Sequence, residues 1–196
     1  MRRRFFPFIK TPCILVPIAL RAGFWFDPQL DPGQRDKRWF GKEAALDAEI
    51  RRRFLALYQE GAAGGLAAWR DTVRECLALV ILLDQFPRNM FRGDARAFAA
   101  DALAREAART LLPRMGELSP DERLFACLPF EHSESLDDQR LSCELIAPLG
   151  AELARYAQRH FEIIERFGRF PHRNAALGRA STPEEIEFLK QPGSGF

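Results

Sequence analysis

The stretch "TVRECLALVILLDQF", residues 72–86, constrains this chain more than any other. Leu77, Val80 and Ile81 mark one helical face, while Leu79, Leu82, Leu83 and Phe86 mark the others. A helix that is apolar all round has no side suited to water, so it belongs at the centre of a packed domain. Pro87 comes next and is expected to stop the helix, because proline lacks a backbone donor and crowds the preceding turn.

The segments around it also read as helix, and none alternates convincingly as a strand does. Residues 42–60 place Leu46, Ile50, Phe54 and Leu57 or Tyr58 at helical spacing, and Gly61, Gly64 and Gly65 end the run. A third helix is expected over 94–112, with Phe98, Ala102, Leu103, Ala107 and Leu111 inward. "SPDE" at 119–122 and "TPEE" at 182–185 each offer a hydroxyl N-cap, a proline at the first helical position and a glutamate that closes a capping box. Residues 134–167 hold one long helix, or two divided near Pro148-Leu149-Gly150. There Leu153, Tyr156, His160, Ile163 and Phe167 form one expected buried stripe. The reading is all-α: a single domain of six to eight mostly antiparallel helices over residues 23–190, with a loose tail at 191–196.

A chain of 196 residues is long enough to close one core around such a helix. Basic and acidic side chains number 29 and 27, so no strong field argues for nucleic acid. The four cysteines, Cys13, Cys76, Cys127 and Cys143, form no C-x-x-C pair, and three lie in apolar helical runs. That suggests a reducing, cytoplasmic setting without disulfides. The opening "MRRRFFPFIKTPCILVPIAL" loosely mimics a signal peptide, but Lys10 and three prolines interrupt it. Its longest uncharged stretch, residues 11–20, is too short to span a bilayer, so no membrane partner is expected. Residues 1–22 therefore read as an N-terminal extension.

Two Phe-Pro steps carry similar polar residues: "FPRN" at 86–89 and "FPHRN" at 170–174. The blocks "LVILLDQFPRNMFRGDARAFAADALA", "ERLFACLPFEHSESLDDQ" and "RFGRFPHRNAALGRASTPEEIEFL" resemble an uncharacterised bacterial family, domain of unknown function 924. "FWF" at 24–26 and "WFGKEAALDAEIRRRF" at 39–54 resemble its N-terminal blocks. The resemblance runs from about Gly23 to Leu189. It implies an all-helical fold with a tetratricopeptide-like, right-handed helical array. It brings no established reaction, ligand, cofactor or catalytic residue.

Asp84 is the most informative single residue. It sits at the end of the most apolar helix, where burial and the helix dipole both oppose a negative charge. A cation must answer it, and Arg88 and Arg173 are the candidates. Such a tie accounts for these residues by structure alone. A functional reading adds Gln85, Asn89, Glu131, His132, Asp138, Gln139, His172 and Asn174, all at helix ends or turns. If the turns converge, they make a concave site that mixes carboxylate, imidazole and guanidinium. His172 is the freest imidazole, Asn89 suits a turn, and Asn174 suits an N-cap. His160 reads as a core histidine.

The candidate ligand-binding set is thus Asp84, Gln85, Arg88, Asn89, Glu131, His132, Gln139, His172, Arg173 and Asn174. No H-E-x-x-H or similar spacing supports a metal, and no phosphate loop, G-x-S-x-G elbow or dinucleotide fingerprint is present. No metal or cofactor is therefore expected. Two functions remain open. One is a helical binding module for a peptide or small anionic ligand. The other is a hydrolase- or lyase-type enzyme using His172 or His132 with Asp84 or Glu131.

Overall fold

The computed structural model describes residues 24–195, so the reading of 1–22 as an extension lies outside the described residues. Eight α-helices occupy them: α1 Pro32–Phe40, α2 Ala44–Ala62, α3 Val73–Met90, α4 Asp101–Leu111, α5 Pro120–Glu131, α6 Leu136–Ile146, α7 Ala151–Phe167 and α8 Pro183–Leu189. No strand occurs among the described residues. The protein is all-α and forms one domain.

Helix α3 is the axis. It packs against α2, α4 and α5, and only Arg74, Glu75 and Arg88 along it escape full burial. Trp25 lies wholly buried against this axis, edge-on to Phe86 at 5.4 Å and to Phe125 at 5.6 Å. Beyond it α6 packs on α5, and α7 on α6. A second, smaller apolar group joins Ile163, Ile164 and Phe170, with Phe167 and Phe188 against them.

Local chemistry explains most boundaries. Ser119 and Thr182 close capping boxes with Glu122 and Glu185. Helix α1 starts by the same device, Asp31 with Gln34 and Pro32 at the first position, although its sequence gives little apolar periodicity. Helices α6 and α7 are separate because a 3₁₀ turn, Ala147–Leu149, runs into Gly150 at φ 149°, a region that side-chain-bearing residues rarely enter.

Three expectations need correction. Pro87 does not stop α3; the helix runs through it to Met90. Proline at this last turn forfeits one backbone bond, while the carbonyls around it find guanidinium donors. Arg88 Nη1 donates to Asp84 O at 2.6 Å, and Arg51 Nη1 to Met90 O at 3.2 Å. The expected helix over 94–112 begins only at Asp101, after a 3₁₀ turn at Ala95–Ala97. Tyr156 is 49% exposed and not part of a buried stripe. Within the described part of the tail, Ser194 Oγ donates to Leu189 O, and Arg159 Nη2 donates to Gly193 O.

Candidate ligand-binding site

The ends of α3, α5 and the second Phe-Pro turn meet around one cavity of about 400 Å³. Its lining includes Lys42, Arg88, Arg92, Phe98, His132, His160, His172 and Arg173. The chain has three histidines, and all three line this cavity. Four cations line it too, and no carboxylate does.

Asp84 anchors the wall. It is wholly buried, and its two oxygens lie 2.9 and 3.0 Å from His132 Nδ1. Gln85 Nε2 donates to it at 2.6 Å, and Arg88 Nη1 lies 3.3 Å away. Burial works against its charge, but Arg88, His132 and these hydrogen bonds prevail and hold the carboxyl well below its usual range. An ionised carboxylate only accepts, so His132 carries its proton on Nδ1, and Nε2 keeps its lone pair. Burial and Arg88 lower the His132 pKa against the opposing pull of Asp84, so the ring is neutral near pH 7.

Arg88 bridges two acids. Besides Asp84 it grips Asp101 with two hydrogen bonds, at 2.9 and 3.1 Å. Arg92 is likewise occupied by Asp47, through Nε and Nη2, the latter at 2.9 Å.

Arg173 differs from both. It is only 6% exposed, yet its guanidinium makes no hydrogen bond among the described residues, and its Nε is buried without a partner. Asp101 lies 3.6 Å from its Nη1, beyond hydrogen-bond reach. The guanidinium stacks on Phe98 at 4.7 Å and Phe170 at 4.4 Å. Burial, then repulsion from Arg88, lowers its pKa to about 10, so it stays charged at neutral pH.

The other imidazoles are poorer bases. Burial pulls His160 down to about 3, and its Nδ1 donates to Tyr156 O at 2.8 Å. His172, expected to stand free at a loop end, is half-buried beside Phe170, with ring centres 5.5 Å apart. Burial and Arg173 lower it to about 4. Glu131 lies 3.4 Å from His160 Nδ1, and burial, then Asp84, pushes its carboxyl up to about 8.

Of the ten candidates, Arg88, His132, His172 and Arg173 line the cavity. Asp84, Gln85 and Glu131 stand behind it, holding or neighbouring those that do. Three lie elsewhere. Gln139 Nε2 donates to the carbonyls of Glu131 and Ser133, at 2.6 and 2.7 Å, closing the end of α5. Asn89 sits inside α3 and not in a turn, where its Nδ2 reaches Asp47 at 2.8 Å and ties α3 to α2. Asn174 caps no following helix; it follows the 3₁₀ turn Pro171–Arg173 and binds Ser181, Glu185 and Arg179. Asp138 accepts from Ser133 Oγ at 2.7 Å and pairs with Arg109.

A family described as "Bacterial protein of unknown function (DUF924)" matches residues 22–193. The chain belongs to DUF924. A solved structure of a protein of unknown function from Agrobacterium tumefaciens is 40% identical to this DUF924 chain, with a TM-score of 0.83. That likeness covers 90% of this chain and 98% of the other. No curated protein matches significantly.

Lys42, Arg92, Phe98 and Asp101 escaped the sequence reading of this DUF924 site. Asp101 had one legible signal: an acid at the first turn of a helix, where the dipole favours it. His160 was read as core; it is buried, and it also lines the cavity. Among the described residues no three His, Cys, Asp or Glu side chains gather as a metal site. None of the described helices is long and apolar enough to cross a membrane.

Proposed function

We propose that this protein is a binding module whose cavity takes a small anionic molecule, a carboxylate or a phosphate. Arg173 carries the reading. A buried guanidinium without a hydrogen bond is costly to keep, and an anion supplies the missing acceptors. The charge balance agrees. Three acids, Asp84, Asp101 and Asp47, stand against the four cations Lys42, Arg88, Arg92 and Arg173, and Arg173 has only a share of Asp101 at 3.6 Å, so one positive charge is in excess along the wall. A volume of about 400 Å³ suits a small molecule better than a peptide. The tetratricopeptide-like array implied by the family resemblance, and a cytoplasmic setting, belong to the same proposal. Free thiols at Cys76, Cys127 and Cys143 favour that setting.

The test is thermal unfolding with acetate, benzoate and inorganic phosphate, in wild type and Arg173→Met. A saturable rise in Tm in wild type that the variant lacks supports the reading. Equal shifts in both proteins would reflect general salt stabilisation and defeat it.

One observation favours a second reading, a hydrolase- or lyase-type enzyme. The Asp84–His132 pair orients an imidazole with a lone pair on Nε2, the arrangement of a general base. Turnover of an anionic substrate that falls in Asp84→Asn while binding persists would support it.

A further inference from the structure

The cavity lining is rich in donors. Lys42, Arg88, Arg92 and Arg173 can only donate hydrogen bonds. The three neutral histidines on the wall each bring an acceptor as well, and in His132 a buried carboxylate fixes which nitrogen that is. The His132 Nδ1 proton is committed to Asp84, so the nitrogen left for the cavity is Nε2, an acceptor. Asp84 is fixed as the acceptor of that proton, because Gln85 and Arg88 hold the carboxylate from other sides. Arg173 and His132 line the same cavity. A plain carboxylate satisfies Arg173, but it offers only lone pairs to Nε2. A ligand that also carries a hydroxyl satisfies both.

We infer that the ligand is a small hydroxycarboxylate, whose carboxylate is held by Arg173 and whose hydroxyl donates to His132 Nε2. The inference rests on the anion-binding reading and narrows it. Asp84 is then a positioning residue. It touches no ligand, and it sets the direction of the hydrogen bond by fixing which ring nitrogen bears the proton. A protonated His132 would call for a second anionic group in place of the hydroxyl. That arrangement requires an extra positive charge beside Arg88 and Arg173.

The experiment compares matched pairs, lactate with propionate and mandelate with phenylacetate, by NMR titration of wild type, Arg173→Met and Asp84→Asn. Wild type is expected to bind the hydroxyl-bearing member at least ~10-fold more tightly, because the analogue leaves a buried acceptor unpaired. Arg173→Met should lose both members of each pair. Asp84→Asn should keep carboxylate binding and lose most of the hydroxyl preference. Equal affinities within each pair in wild type overturn the hydroxycarboxylate and leave the anion reading standing. Tighter binding of malonate than of lactate, with proton uptake, also overturns it. Binding of none of these acids overturns it as well, and the unfolding test with inorganic phosphate then decides the anion reading separately. The decisive comparison uses wild type alone, so it survives a variant that folds poorly.

Discussion

His132 Nδ1 stands 2.9 and 3.0 Å from the two oxygens of Asp84, a contact that spans 48 residues and joins the ends of α5 and α3. An ionised carboxylate in that place fixes the tautomer of the ring. Nitrogen-resolved NMR should show His132 protonated on Nδ1 near neutral pH, and a mixture of tautomers in Asp84→Asn. A wild-type ring protonated on Nε2 would contradict the assignment.

Arg88 holds two acids apart from one another. Arg88→Met would leave Asp84 and Asp101 facing each other without their shared cation. Breaking such a buried network typically costs about 3–5 kcal/mol. Urea unfolding measures the loss, and a change below about 1 kcal/mol would show that the network is dispensable.

Stability should peak near pH 6.5. The folded-state pKa values of His160 and His172 lie at about 3 and about 4, below the ordinary 6.5. Below pH 6.5 the unfolded chain therefore takes up more protons at these sites, and stability falls as pH falls. Glu131 acts in the opposite sense, since its folded value of about 8 exceeds the ordinary 4.5. Its contribution is complete below 4.5 and is lost as pH rises through 8. Between 4.5 and 6.5 two histidines outweigh one glutamate; above that, Glu131 acts alone. Unfolding curves across this range should show the peak, and Glu131→Gln should flatten the decline on its alkaline side. A variant that declines as steeply as wild type would remove Glu131 from the account.

Asn174 separates tie from pocket. Its Nδ2 donates to Ser181 and Glu185, and its Oδ1 accepts from Arg179 at 3.0 Å. Asn174→Ala should cost about 1–3 kcal/mol by stranding those partners, with anion affinity unchanged. Loss of binding without loss of stability would return Asn174 to the site.

The fold was legible where the signals were local. Capping boxes at Ser119 and Thr182 marked where their helices start, and the apolar run 72–86 marked the start and body of α3 but not its end at Met90. Helix α1 has the same cap, but polar residues fill it and none is buried, so periodicity gave no support. Pro87 misled because its cost is small in a last turn, where only one helical bond is lost, and because the helix end is held by Arg51, which donates to Met90 O across 39 residues. The site was half legible. Asp84 announced itself as a charge in an apolar helix, where burial demands a cation; the dipole is no part of its setting, because α3 runs six residues beyond it to Met90. Asn89, Gln139 and Asn174 looked the same in sequence as the residues of the cavity, because tying helices and binding ligands call for the same side chains. Lys42 and Arg92 were invisible, since a surface cation becomes a site only through what lies opposite it.

The cavity takes its walls from residues as far apart as Lys42 and Ala176, a span that covers most of the described chain. During synthesis its first wall precedes its last by more than a hundred residues, and no fragment that ends before the second Phe-Pro turn contains it. An anion bound there, as proposed, would touch only a chain that has closed its second Phe-Pro turn. Its occupancy would then act as a proofreader of completion, stabilising the closed chain and giving nothing to an unclosed one.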